Sequence, residues 1–397
     1  MGIFDKFQKL AETRKALEKN SSEFFSVVIE KVISPTEVII NGRSVVLAGG
    51  NNYLGLTFNA ECIRAACDAV QKDGTGTTGS RVANGTYSGH VALEQELSEF
   101  FGRRKTIIFS TGYIACMAMV STLVGRDEVI LLDADCHASI YDGCRMGGAE
   151  VIRFRHNDIQ DLEKRLHRLE NRKINVLIVV EGLYSMMGDR APLADIAVLK
   201  RRYGAYLLID EAHSLGVLGE TGRGLAEEAG VEDSVDFIVG TFSKSLGAIG
   251  GFCTSNHPEF DLLRYASRAY IFTASSSPSI IASTRMALKI LRSQPELKHR
   301  LWNHAHLLYQ RLKDLGLSLG PTPGPIIAVC CENPLKTLEI WRGLLDHGIY
   351  VNMVLPPATP DGRALLRCSL SSLHTREQVE KIGDAFASLK AKHPNDW

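Results

Sequence analysis

The chain has 397 residues, 45% of them hydrophobic and 23% charged, with 45 basic residues against 45 acidic ones. That length suggests more than one domain and supplies apolar material for a large core. Zero formal net charge gives no support to general nucleic-acid binding, and no run of about 18 apolar residues marks a membrane-spanning helix. The nine cysteines are scattered, only Cys330 and Cys331 adjoin, and no Cys-x-x-Cys occurs. With no secretory signal either, a reducing cytoplasmic setting is the expectation.

Met1–Asn20 carries Ile3, Phe4, Phe7, Leu10 and Leu17 at helical spacing among lysines. Two readings fit: an arm packed on the body or on a partner subunit, or a helix lying at the inner membrane surface. Phe25–Val46 alternates as short strands with a turn at Asn41-Gly42. A turn at Asn51–Leu56, a helix over 60–72, a Gly/Thr/Ser-rich loop from Gly74 to Asn84 and an amphipathic helix over His90–Phe101 follow.

Ile107–Tyr113 reads as a strand turning into a helix. Backbone N–H groups at such a helix start favour an anion, and glycine permits close approach, so Ser110, Thr111, Gly112 and Tyr113 are candidate cofactor contacts. A plain helix cap is the alternative. Val129–Asp133 is a further strand, followed by Asp135, His137 and Ser139. The Asp-x-Asp spacing lacks a second nearby His or Cys, so no metal is assigned. Val176–Val180 leads into Glu181-Gly-Leu-Tyr184-Ser185-Met186-Met187, where the methionines read as core filling. Strands thus recur near 107, 129, 176, 207 and 237 with helical stretches between several of them. That rhythm predicts an α/β fold with a mostly parallel central sheet flanked by helices.

Two strand ends carry the chemistry. Leu207-Leu-Ile-Asp210 ends in a carboxylate with His213 three residues on, and Phe237-Ile-Val breaks into Gly240-Thr241-Phe-Ser243-Lys244. A lysine among hydroxyls and glycines is either a point charge against phosphate or a nucleophilic amine for an aldehyde. The Gly-x4-Gly-Lys-Ser/Thr phosphate loop is absent. Asp210 alone reads equally as a helix cap. Ligands of α/β sheets bind beyond the strands' carboxyl ends, so both residues can meet at one cleft. An acid that keeps a ring nitrogen protonated, with a Schiff-base lysine, is the constellation that serves pyridoxal 5'-phosphate (PLP).

With Gly-Thr-Gly-Thr-Thr-Gly-Ser-Arg at 74–81, Asp-Glu-Ala-His at 210–213 and Gly-Thr-Phe-Ser-Lys at 240–244, the chain resembles the α-oxoamine synthases from about Ser34 to about His374. The resemblance implies a fold-type I PLP-dependent transferase with a smaller C-terminal α+β domain. The expected division is an N-terminal arm with short strands (1–48), a PLP-binding large domain (49–285) and a small domain (286–397). It implies decarboxylating condensation of an amino acid with an acyl thioester, in a homodimer with active sites at the interface.

Carried over residue by residue, Lys244 holds PLP and acts as base, Asp210 meets the pyridine nitrogen, and His137 stacks on the ring and reaches substrate. His213 and Ser185 approach the phenolic oxygen. Gly112, Tyr113, Thr241 and Ser243 hold the cofactor, joined by Thr273 and Ala274 from the neighbouring subunit. Asn52 lies near substrate or the acyl entrance, and Arg367 pairs with the substrate carboxylate. The stretches Asp133–Gly143 and Pro356–Pro360 favour the serine-using branch. Its expected substrates are L-serine and a long-chain acyl thioester, as acyl-CoA or on acyl carrier protein. Its product is 3-ketodihydrosphingosine, the first step of sphingolipid synthesis.

Other family members remain alternatives: 2-amino-3-ketobutyrate ligase, 8-amino-7-oxononanoate synthase and 5-aminolevulinate synthase. A non-catalytic partner subunit is a third reading, against which Lys244, Asp210 and His137 all stand. Two departures stand out. Ser275-Ser276-Ser277-Pro278 replaces the family's Ser-Leu-Pro-Pro, and Leu355 stands where some serine-using members carry a second arginine.

Overall fold

The structure is a computed structural model that describes residues 2–20, 27–356, 359 and 362–397. Most of the Pro356–Pro360 motif, and Phe25 at the start of the expected N-terminal strands, lie outside the described residues. The chain forms two compact units, one of Asn51–Ser185 with Asp189–His299, the other of Met1–Gly50, Met186–Gly188 and Arg300–Trp397.

The larger unit is built on a seven-stranded sheet. In spatial order its strands are Lys105–Phe109, Gly251–Ser255, Phe237–Thr241, Tyr206–Asp210, Val176–Glu181, Val129–Asp133 and Glu150–Phe154. Five neighbours from Phe237–Thr241 to Glu150–Phe154 pair in parallel, and Gly251–Ser255 runs antiparallel between its two partners. The mostly parallel sheet expected from the strand rhythm is present. The antiparallel strand is an addition, hidden in the sequence by the glycines at 250 and 251.

Central strands such as Val176–Glu181 are buried along their whole length. This explains why they read as unbroken apolar runs rather than alternating ones. Each fully buried Val, Leu or Ile there contributes about 1.5–3 kcal/mol. Helices cover the sheet. Ala138–Gly147 lies so close to Gly112–Leu123 that a Cβ on Gly143 would stand 2.9 Å from Val120 Cβ and 3.0 Å from the Met117 carbonyl. Pro278–Ser293 packs on Ala60–Asp73.

The smaller unit contains two sheets. Lys31–Ser34, Glu37–Ile40 and Arg43–Leu47 form an antiparallel meander, with the tight turn at Asn41-Gly42 taking positive φ at both residues. Ile349–Tyr350 joins this meander in parallel beside Val46 and Leu47. A three-stranded antiparallel sheet has Ala364–Ser369 in the middle, flanked by Ile326–Cys331 and Asn352–Val354. Helices Pro334–Asp346 and Arg376–Lys392 pack on each other. At the N-terminus, Ile3, Phe4, Phe7 and Leu10 are exposed. Among the described residues, no helix is long and apolar enough to cross a membrane.

Candidate active site

Five strands of the large sheet deliver residues to one cleft of about 360 Å³ at their carboxyl ends. Lys244 and Asp210 line it together with His137 and His213, and so do Gly112, Tyr113, Thr241 and Ser243. Its wall includes Cys116, Ser139 and Glu181 as well.

Thr111 caps the helix Gly112–Leu123, its hydroxyl accepting from Ile114 N at 3.1 Å. Gly112 is required by close approach, because a Cβ there would lie 2.6 Å from the Thr241 side chain. The bare helix start therefore faces the Thr241 hydroxyl. That hydroxyl donates to the Gly250 carbonyl at 2.9 Å and lies 2.9 Å from Ser243 Oγ. The lysine loop is tied down by backbone bonds, with Phe242 N donating to Gly250 O and Gly247 N to Lys244 O. Ser245 Oγ donates to Leu215 O at 2.5 Å.

Asp210 is buried, and its oxygens accept from Ala212 N at 2.8 Å and from the Cys116 thiol at 3.0 Å. Burial, with Asp210 beside it, holds the Cys116 thiol well above its ordinary value, so it stays a donor. His213 Nδ1 lies 2.7 Å from the Tyr53 hydroxyl. His137 caps the helix Ala138–Gly147. Its Nδ1 accepts from Ser139 N at 3.2 Å and lies 2.8 Å from Ser139 Oγ. Partial desolvation holds the His137 imidazole below its ordinary value, Asp210 working against that shift and Lys244 adding to it. The ring is therefore neutral at pH 7. Tyr113 meets it edge-on at 6.2 Å and donates its hydroxyl to Asp142.

Sequence reasoning missed Glu181, Cys116 and Glu211. Glu181 pairs in register with Asp210 on the next strand, is buried, and accepts the His137 N–H at 2.5 Å. Burial and then the neighbouring Asp210 push Glu181 well above the usual carboxylate range. The signal was available, because an apolar run ends in a carboxylate here as it does at Asp210. Glu211 is fully buried and anchors the following loop. It accepts Leu225 N at 3.0 Å, Ala226 N at 2.9 Å and the Ser214 hydroxyl, and burial raises it to about 7.

The other candidates are not among the residues that line this cleft. Ser185 is half-buried in the turn after Val176–Glu181. Asn52 donates from Nδ2 to Thr57 Oγ1 at 2.7 Å. Thr273 and Ala274 lead the serine-rich turn, where Ala274 bridges Ser80 and Ser275 N donates to Gly79 O. Ser275 Oγ lies 2.7 Å from Thr77 Oγ1, and Pro278 starts the next helix. Ala274 and Ser275 thus stitch this turn to the Gly74–Asn84 loop, while of the two departing residues the Ser276 carbonyl meets His90 Nε2 at 2.9 Å and Ser277 Oγ lies 3.0 Å from Ser279 Oγ. Arg367 belongs to the smaller unit, where it is buried on Ala364–Ser369 and donates from Nη1 to Ser369 Oγ at 2.8 Å.

Residues 43–386 match the family described as aminotransferase class I and II. The chain is 54% identical to a serine palmitoyltransferase of Caulobacter vibrioides over 98% of this chain and 97% of the relative. The solved serine palmitoyltransferase of Sphingomonas wittichii superposes with a TM-score of 0.97 at 48% identity, over the full length of both chains. A second solved serine palmitoyltransferase, holding PLP as its internal aldimine, gives 0.96 at 46% identity over 99% of both chains. The chain belongs to the aminotransferase class I and II family and, within it, to the group of the bacterial serine palmitoyltransferases.

Proposed function

We propose that this protein condenses L-serine with a long-chain acyl thioester, releasing the thiol and CO2 and giving 3-ketodihydrosphingosine. The observation that carries the reading is the meeting of an amine, a carboxylate and a neutral imidazole in one cleft: Lys244, Asp210 and His137. The donor set fits PLP. Gly112 leaves a helix start bare opposite the Thr241 and Ser243 hydroxyls, which is a phosphate cradle, and Lys244 lies in the same cleft. When bound, PLP supplies an electron sink for the pair left at the serine Cα.

In this reading the protein's own groups do the following. Lys244 Nζ would hold the cofactor and would serve as the base for the serine Cα proton. Asp210, fixed by Ala212 N and Cys116, would hold the proton on the pyridine nitrogen. His137 lines the cleft where it would pack on the cofactor ring, and its neutral imidazole would hydrogen-bond a substrate oxygen. His213 and Ser185 address the phenolic oxygen, and Tyr113 borders the cofactor beside His137. Asn52 stands near the acyl entrance. Holding the phosphate and the ring at two separate sets of residues would restrict the orientation of the reacting group, an effect worth at most about 7–11 kcal/mol.

Assembly belongs to the same proposal. The active unit is a homodimer in which Thr273 and Ala274 complete the neighbour's phosphate site. Phe272 and Tyr265, 74% and 75% exposed in the single chain, supply apolar surface for such an interface. Sedimentation at assay concentration is expected to show an active dimer. A fully active monomer would contradict this part.

Arg367 is assigned to the serine carboxylate, as the one cation of the Leu366-Arg367-Cys368-Ser369 motif. A charged hydrogen bond contributes about 1.5–3 kcal/mol, so Arg367→Ala is expected to weaken serine binding roughly tenfold to a hundredfold. Acyl thioester binding should change far less. Arg367→Lys should recover only part, because a point charge does not reproduce the fork. The check is a spectroscopic titration of the PLP-loaded protein with L-serine, following the visible band of the PLP imine. The reading itself is tested in the same cuvette: L-serine must perturb that band at lower concentration than glycine or L-alanine. A preference for another amino acid would redirect the function to a different member of the family.

A further inference from the structure

We propose that His156, clamped as an imidazolium between Asp133 and Asp189, is a positioning residue that locks the segment carrying His137 to the segment carrying Ser185. The proposal rests on the function proposed above. His156 Nδ1 lies 2.8 Å from Asp133 Oδ1, and Nε2 lies 2.6 Å from Asp189 Oδ2. A carboxylate oxygen accepts, so both ring nitrogens must donate, and only the doubly protonated ring does so. Asp135 adds a third acidic oxygen 3.8 Å from Nδ1. Burial pulls the imidazole down, but the bonds to Asp133 and Asp189 outweigh it and raise it to about 10. The acidic pair at 133 and 135 therefore faces an imidazolium as its cation.

Three segments meet at this ring. Asp133, fully buried at its strand end, also accepts the N–H groups of Asp135 at 2.9 Å and Asn157 at 3.0 Å. Asp189 accepts Asn157 Nδ2 at 2.9 Å, and the same amide donates to Arg190 O at 3.0 Å. Tyr184 packs perpendicular to His156 with ring centroids 4.5 Å apart. Its N–H donates to Asp189 O, closing the turn that contains Ser185. Two residues beyond Asp135, the His137 N–H donates to Glu181 Oε1. The two segments are thus joined twice, once at the cleft and once behind it. His156 is not part of the cleft lining, so it acts through these partners.

The imidazolium also balances charge. A neutral side chain at 156 leaves two buried carboxylates facing each other with one donor fewer, and the cheapest relief is for the turns to part. A shift of about 1 Å in groups that orient a reaction costs on the order of a hundredfold in rate.

Two measurements test this. In the cofactor-free protein, the His156 ring carbon, assigned by its loss in His156→Gln, is followed by NMR from pH 6 to pH 9. The ring is expected to stay protonated throughout, and a ring neutral at pH 8 overturns the clamp. In the PLP-loaded protein, His156→Gln is expected to lower kcat for thiol release roughly tenfold to a hundredfold, with KM for both substrates within about threefold. The visible circular dichroism of bound PLP should weaken in parallel. His156→Gln/Asp189→Asn, which removes the surplus charge and returns a donor, should regain most of the loss. Unchanged kcat and dichroism in His156→Gln, or a loss that tracks thermal stability and is not recovered in the double variant, overturns the positioning role. The NMR and dichroism readouts stand even if the condensation assay fails in the wild type, so failure of the function and failure of this inference are distinguishable.

Discussion

Lys244→Ala is expected to fold like the wild type and to lose on the order of a thousandfold or more in thiol release from a long-chain acyl thioester. It should fold because the bonds that shape its loop run through backbone groups and Ser245, not through the lysine side chain alone. It should fail because one atom, Nζ, is asked both to hold the cofactor and to move the Cα proton. Removing a positioned base alone typically costs 10²–10⁴-fold, and the covalent anchor is lost with it. The visible imine band should vanish with the activity. PLP held weakly through the phosphate cradle at Gly112, Thr241 and Ser243 is compatible with this outcome. Turnover near the wild-type rate would remove Lys244 from the mechanism.

Asp210→Asn carries the second-largest expected effect, a fall in kcat of roughly 10²–10³-fold, the scale on which one preorganised electrostatic partner acts. An amide is almost isosteric, so the fold should survive. It has only one acceptor oxygen, however, while Ala212 N and the Cys116 thiol both donate to Asp210. An amide turned toward the ring also cannot hold a proton on the pyridine nitrogen. Steady-state kinetics together with the pH dependence of the visible band check this. A kcat within about threefold of wild type would show that the ring nitrogen has no charged partner at residue 210.

Much of the candidate site was legible because its signals are local. Asp210, Thr241, Ser243 and Lys244 each stand at or just past the end of an apolar run, and in a parallel sheet those ends share one edge. Gly112 was legible as a helix start, and the geometry supplies the steric reason, its closeness to Thr241. What stayed hidden is set by distance along the chain. Cys116 reaches Asp210 across 94 positions, and His156 reaches Asp133 and Asp189 across 23 and 33, so no spacing rule points from one to the other. Glu181 follows the same strand-end rule as Asp210 yet has no histidine three residues on to draw attention. The strand Gly251–Ser255 was masked by glycines that suit a loop as well as they suit a close turn into an interior antiparallel strand. The parallel pairing of Ile349–Tyr350 with Arg43–Leu47 joins segments some 300 residues apart, which periodicity cannot report.

The central claim is that one serine carboxyl group leaves for every acyl thioester consumed. The direct measurement follows purified, PLP-loaded protein with carboxyl-labelled L-serine and a long-chain acyl thioester, recording thiol, labelled CO2 and long-chain ketone together. Equal amounts of all three, absent without serine and absent in Lys244→Ala, is the expected result. Thiol release with the label retained in the amino acid or in an N-acyl product would contradict the account, since the cleft would then be hydrolysing or transferring the acyl group without forming a bond at Cα.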